Sequence, residues 1–202
     1  MSELRKILRM PAAGLSGAMQ QIASTAQLRN ETARWSLFTI PLCLGLGLLS
    51  AQVSGSVPDN PWFALLDKPP LYPAPVVFPV VWSILYVMMG VALALVASAR
   101  GARGRGLAVG LFAVQLALNL AWSPVFFMGH RLVLALVIIV GLIVALAITI
   151  VLTWRVRRMA AALLLPYLAW VCFASLLNLQ FVQLNPGADG AERSGVVVRV
   201  QL

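Results

Sequence analysis

The chain has 202 residues, 61% of them hydrophobic and 10% charged, with a mean hydropathy of +0.92 and a formal net charge of +9. Soluble domains carry about 45–50% apolar and about 25% charged residues, so a water-soluble globule is excluded and an integral membrane protein is indicated. The positive charge would suit nucleic acid, but the basic residues flank apolar segments instead of forming an aromatic-interleaved patch, and nucleic acid is set aside as a partner.

Residues 1–34 hold Ala, Ser, Gln and Arg with only Glu3 and Glu31 as acids. They read as an N-terminal extension, flexible or surface-lying, of a composition also compatible with an organelle transit segment. No apolar run of about 7–15 residues is present there, so this is not a secretory signal peptide. Five apolar stretches free of charged side chains follow, at residues 36–57, 76–99, 106–128, 132–154 and 159–184. A helix needs roughly 20 residues to cross the hydrocarbon, whereas a barrel would show alternating strands of about 10. In lipid every peptide group must be satisfied within the protein, so the expected fold is all-α, a bundle of five transmembrane helices in the lipid bilayer.

Between the first two spans, residues 57–76 contain Pro58, Pro61, Pro69, Pro70, Pro73 and Pro75. Proline fixes φ and removes a donor, so this loop should be stiff, able to act as a lid, with any short helix starting after Pro61. Trp62 and Phe63 would lie at headgroup level, where an ordinary aromatic belt is the alternative to a lid.

The spans contain no ionisable side chain of the Asp, Glu, Lys, Arg or His type. Proton relays and ion pathways are built from such groups, so coupled ion transport is disfavoured. Aromatic and amide side chains at helical spacing are present instead. The second span has Phe78, Trp82, Tyr86 and Met89; the third Gln115, Asn119, Trp122 and Phe126; the fifth Tyr167, Trp170, Ala174, Asn178 and Phe181. Steps of three and four put each set on one face. These faces either pack the interior, with amides joining helices, or line a pocket for a flat apolar ligand.

A second strip on the third span, Gly106, Gly110, Ala113, Ala117 and Ala121, is suited to a close helix contact, either with a second copy of the chain or within the bundle. The first span has a similar series, Gly47, Ala51 and Gly55. Cys43 and Cys172 fall inside spans, give no disulfide framework and no metal-ligand spacing, so no metal site is expected. Residues 187–202 form a C-terminal tail that should leave the helix at once at Pro186 and Gly187.

Eleven basic residues, Arg5 to Arg34, Arg100 to Arg105 and Arg155 to Arg158, flank one set of helix ends, against four, Lys68, Arg131, Arg193 and Arg199, on the other. In a bacterial-type cell membrane this puts the N-terminus in the cytoplasm and the C-terminus outside; an organelle membrane is the alternative.

Several stretches are similar to those of the TspO/MBR family, the tryptophan-rich sensory proteins and mitochondrial translocator proteins. They are Trp62 through Pro69, then Phe78, Pro79, Trp82, Leu85 and Tyr86, then Gln115, Asn119, Trp122, Pro124, Phe126 and Phe127, then Pro166 through Trp170 and on to Asn178. The resemblance spans residues 35–186. It implies a five-helix receptor or translocator, usually a homodimer, that binds porphyrins such as protoporphyrin IX and, in some members, sterols and synthetic ligands. It further implies roles in tetrapyrrole regulation or stress response. By resemblance Trp82, Trp170 and Ala174 are pocket positions, Phe63 stands where the family has a capping tyrosine, and Gln115 and Asn119 match polar positions of the third helix. Trp82 also matches the tryptophan implicated in light-dependent porphyrin breakdown, so photo-oxidative degradation and sterol or small-molecule transport are the alternatives to receptor function. Departures are Pro70 and Leu71 where the family has loop tryptophans, and Leu179 and Gln183 in place of a sterol-recognition pattern.

The ligand set expected from these readings is Phe63, Phe78, Trp82, Gln115, Asn119, Trp122, Phe126, Tyr167, Trp170, Ala174 and Asn178, with no required cofactor and with Trp82 as the sole catalytic candidate. Lys68, His130 and Arg131 lie on the lid side and are candidates to meet a porphyrin's carboxylates. The chain lacks a nucleophile paired with a base, so hydrolytic chemistry is not expected.

Overall fold

The computed structural model describes residues 25–56 and 60–190, with the backbone alone described for residues 25–29. The expectations for residues 1–24 and 191–202 lie outside the described residues. The helices are α1 (Thr25–Ser54), a short α2 (Pro61–Leu65), α3 (Val77–Ala97), α4 (Arg105–Ser123), α5 (Leu132–Val156) and α6 (Arg158–Leu184), and α4 continues into a π-helical turn, Pro124–Met128. Five are long and apolar enough to cross a membrane, which is the five-span, all-helical architecture expected.

The first boundary differs from the expectation. α1 starts at Thr25, not near residue 36, because a charge-free criterion stops at Arg34 while the helix itself continues past Glu31 and Arg34. Charged side chains end a hydrocarbon span without ending a helix; they sit at the headgroups. At its other end α1 closes on Gly55, φ +63°, with the Gly55 and Ser56 amides donating to the Gln52 and Ala51 carbonyls. That left-handed residue is where glycine avoids the Cβ penalty.

The lid segment contains the expected short helix after Pro61. Asn60 Oδ1 accepts from the Phe63 amide, and Pro61 fills the first helical position. Proline suits that position because its missing N–H has no intrahelical partner there.

The long helices form a ring. α1 packs on α3, α3 on α6, α6 on α5, α5 on α4, and α4 closes against α1. The tightest approach is α1 to α3: a Cβ added at Gly90 would lie 2.6 Å from Ile40 Cα, and one added at Gly47 would enter the Tyr86 ring. At the same crossing the Thr39 hydroxyl donates to the Gly90 carbonyl at 2.7 Å. Small residues let two backbones meet, and the first span's glycine series thus serves the inside of the bundle.

Outward faces are apolar. On α5 Val133, Val137, Val140, Val144, Ile148 and Val151 are exposed, and on α1 Leu37, Phe38, Leu48, Leu49 and Val53. Patches of that extent meet lipid in a membrane protein. Gly106, Gly110, Ala113, Ala117 and Ala121 on α4 are exposed too, and neither glycine has a neighbour within 4 Å of an added Cβ. The α4 strip therefore faces out of the bundle, which removes the intramolecular alternative for it.

Candidate functional site

The three polar-aromatic faces converge, and they converge on one another. Met89, Gln115, Tyr167 and Asn178 are essentially inaccessible, Phe126 is 1% exposed, and Asn119 and Tyr86 are buried. Trp82, Trp122, Trp170 and Ala174 are half-buried and pack against the same core, with Phe78 half-buried beside them.

Two layers result. Deep in the bundle the Trp82 ring stacks on Tyr86 at 5.4 Å and meets Tyr167 edge-on at 6.1 Å. The Tyr86 hydroxyl donates to Asn119 Oδ1 at 2.7 Å, joining α3 to α4. Gln115 lies one turn from Asn119 on the same face of α4. Above this layer is the lid cluster. Trp122 stacks on Phe126 at 4.9 Å, Phe63 lies 5.3 Å from Phe127 and 5.5 Å from Phe181, and Tyr72 stacks on Phe78 at 5.3 Å. Phe78 in turn meets Trp170 edge-on at 5.9 Å, which links the two layers.

These separations fall in the range of direct ring contact. A flat ligand held between two rings needs them about 7 Å apart, twice the ~3.5 Å carbon contact distance. The centre is occupied by side chains, and the rings must part for a planar ligand to enter between them.

The amides do not play equal parts. Asn178 is engaged on both sides: its Oδ1 accepts from Trp122 Nε1 and its Nδ2 donates to the Leu132 carbonyl, each at 3.1 Å. It ties α4, α5 and α6 together. Asn119 already accepts from Tyr86. Gln115 is different, since neither Nε2 nor Oε1 has a hydrogen-bond partner although the residue is fully buried, and Tyr167 Oη and Trp170 Nε1 are buried and unpartnered as well. A buried polar group left unpaired costs about 1–3 kcal/mol, and in hydrocarbon there is no bulk water to relieve it.

The lid is fastened to the C-terminal end of α6. The Asp67 amide donates to Asn185 Oδ1 at 2.8 Å and Asn185 Nδ2 donates to the Asp67 carbonyl at 3.1 Å. Just beyond, Asp189 Oδ1 accepts from the Val133 amide in the first turn of α5, and the Gly190 amide donates to the His130 carbonyl. Residues 185–190 thus form a strap across the mouth.

Trp62 and Phe63 do not lie out in a belt; they insert beneath the lid, with Trp62 edge-on to Phe126 at 5.8 Å. Of the lid-side cations, Lys68 Nζ donates to the Phe63, Ala64 and Leu66 carbonyls and sits 4.6 Å above the Phe63 ring. Burial lowers its pKa, an effect that neighbouring Asp67 opposes. It caps α2 instead of standing free. His130 stacks on Trp62 at 4.4 Å in a left-handed backbone conformation, φ 52°. Arg131 is exposed at the mouth.

Sequence reasoning missed Tyr72, whose ring is central to the lid cluster; its position just before Pro73 in the lid was the available signal. It also left Tyr86 and Phe181 off the ligand set, although both stood on the stripes. Among the described residues no group of three or more His, Cys, Asp or Glu side chains gathers as a metal site would.

The TspO/MBR family profile matches residues 39–184. The chain is 41% identical over 155 residues to the tryptophan-rich protein TspO of Chlorobaculum tepidum, covering 74% of this chain and 98% of that protein. It is 38% identical over 135 residues to the translocator protein of Ovis aries, 65% of this chain and 79% of the relative. With the tryptophan-rich sensory protein of Cereibacter sphaeroides it shares 36% identity over 151 residues, 75% and 92% of the two chains. A profile match across the whole ring of helices, with relatives matched over most of their length, places this chain in the TspO/MBR family.

Proposed function

We propose that the chain is a receptor or translocator for porphyrin-type ligands, protoporphyrin IX being the test case, serving tetrapyrrole regulation or stress response. The observation that carries this reading is the set of orphaned polar atoms on Gln115, Tyr167 and Trp170 within a shell of aromatic rings. A core meant only for packing would place leucine or phenylalanine there; a site for a flat apolar ligand needs rings for its faces and a few polar groups for its heteroatoms. The names of the relatives, translocator and sensory protein, are in keeping with it.

Entry occurs at the lid. Trp62, Phe63 and Tyr72 swing out with their proline-rich segment, Phe78 and Trp170 part beneath them, and the ring slides toward Gln115. Its carboxylates stay at the mouth, where water and Arg131 meet them, since desolvating a carboxylate is far costlier than burying a ring. Phe63, Phe78, Trp82, Trp122, Phe126, Tyr167 and Trp170 supply the apolar contacts, Ala174 leaves room on α6, and Asn119 and Asn178 hold the walls in register.

Titrating the full chain in detergent with protoporphyrin IX tests the reading through tryptophan emission. Saturable quenching is expected, with Trp82→Ala and Trp170→Ala each weakening affinity about tenfold, the loss of one or two ring contacts worth ~1 kcal/mol apiece. Unchanged affinity in both variants would refute it. The Trp82–Tyr86–Tyr167 array of oxidisable rings favours one alternative, photo-oxidative breakdown with dioxygen as oxidant. Under illumination, loss of product in Trp82→Phe with affinity retained would identify turnover, while unaltered porphyrin identifies a binder.

The outward α4 strip is the face on which a second copy of the chain packs to form a homodimer. A bacterial-type cell membrane with the N-terminus inside fits the basic loops.

A further inference from the structure

At the end of the bundle opposite the lid, α1 projects beyond the first span and stands beside the loop that joins α3 to α4. The two are stitched together by the Glu31–Arg100 ion pair at 3.6 Å and by the Thr32 and Ser98 hydroxyls, 3.0 Å apart. Between them opens a cleft of about 280 Å³ lined by Glu31, Arg34, Trp35 and Arg100.

The charge in this cleft does not balance. One carboxylate faces two guanidinium groups, and Glu31 is already committed to Arg100. Arg34 has no ion-pair partner among the described residues. Arg105 cannot relieve the excess, because it is itself a cation, with its Nε turned to the Ala97 carbonyl. Among the described residues the site therefore keeps one net positive charge, carried by two planar forks that suit the bidentate recognition of phosphate oxygens. The half-buried Trp35 also lines the cleft, and tryptophan rings favour the interfacial region of a bilayer. A lone surface arginine would be a solvated anchor; here two arginines, a paired acid and an indole surround one cleft.

We infer that the cleft between α1 and the α3–α4 loop binds the phosphate of an anionic phospholipid headgroup, held between Arg34 and Arg100 with its glycerol against Trp35. The surplus of one charge selects a headgroup whose phosphodiester is not neutralised by its own ammonium, phosphatidylglycerol over phosphatidylcholine. The cleft opens on the end of the bundle that bears Arg103, Arg105, Arg155, Arg157 and Arg158, the side on which basic pockets between helices meet anionic leaflet lipids. The inference is independent of the porphyrin reading, since the lid lies at the other end.

The experiment uses the full chain in phosphatidylcholine vesicles doped with spin-labelled phosphatidylglycerol or spin-labelled phosphatidylcholine, reading the protein-bound fraction of each label. Wild type should prefer phosphatidylglycerol, and Arg34→Gln and Arg100→Gln should each lower that preference roughly fivefold, the effect of one basic residue near the surface. Arg155→Gln removes the same charge from the same end but outside the cleft, and should change the preference less than twofold. Equal effects of all three variants would overturn the inference in favour of general surface charge. Displacement of the labelled lipid by millimolar inorganic phosphate would overturn it in favour of a soluble phosphate. Arg34 is exposed on α1, Arg100 in the α3–α4 loop and Arg155 in the last turn of α5, all outside the packed core, so the variants fold, and unaltered circular dichroism and thermal unfolding check that they do.

Discussion

The contact between α1 and α3 makes Gly90→Ala the sharpest test of the fold. The added methyl would sit 2.6 Å from Ile40 Cα and 2.9 Å from Ile40 N, both backbone atoms that no rotamer change can move. An ordinary carbon contact is ~3.5–4.0 Å, so the two helices must separate by about 1 Å. That shift stretches the 2.7 Å bond from the Thr39 hydroxyl to the Gly90 carbonyl beyond hydrogen-bonding range. A lost interhelical bond costs ~0.6–1.7 kcal/mol, and overpacking adds ~1–3 kcal/mol. Alanine's better helix propensity returns up to ~1 kcal/mol, leaving a net loss of about 1–4 kcal/mol. Equilibrium unfolding of the purified chain in mixed detergent micelles measures it. Gly141→Ala, where an added Cβ has nothing within 4 Å, is the control and should be neutral or slightly stabilising. Equal stability of the two variants would show that α1 and α3 do not meet as described.

Gln115→Leu replaces an unpartnered amide by an apolar group of similar shape, so it should stabilise the ligand-free chain by ~1–3 kcal/mol while weakening porphyrin binding; a destabilised variant would mean that Gln115 has a partner in the fold. Asn185→Ala removes both side-chain bonds that hold Asp67 and should speed protoporphyrin association in stopped-flow quenching several-fold, with the rate unchanged if the lid is not the entrance. Burial holds the Tyr72 phenol above its ordinary value of 10.0, so the neutral ring's contribution to lid closure is complete below that pH and is lost as pH rises through the elevated value. Alkaline loosening of the lid, read by acrylamide quenching of tryptophan emission, should then disappear in Tyr72→Phe. Gly110→Leu on the outward strip should leave the unfolding transition of the monomer in place and abolish chemical cross-linking between copies; persistent cross-links would exclude that face.

The five spans were legible because the hydrocarbon imposes a length and a polarity that a linear sequence displays directly. The faces were legible too, since steps of three and four leave Gln115, Asn119, Trp122 and Phe126 no choice but to share a side. What those faces enclose was not. Whether Trp82 lines open space or leans on Tyr86 depends on helix separation, which is set by contacts such as Gly90 on Ile40 that no spacing rule reveals. The amides looked alike in sequence, yet Asn178 is bonded on both sides and Gln115 on neither. That difference arises from where Trp122 and the Leu132 carbonyl happen to fall. Lys68 was expected at the mouth because its charge is visible in the sequence; the three carbonyls that claim it appear only once α2 has formed.

The six residues that follow α6 have a practical consequence. By clasping Asp67 through Asn185, the amide end of α5 through Asp189 and the His130 carbonyl through Gly190, they make the doorway depend on chain that looks dispensable. A protease nick or a truncation just before Asn185 would leave every membrane span intact and the doorway unhooked. On the proposed reading, such a protein would insert normally and leak its guest.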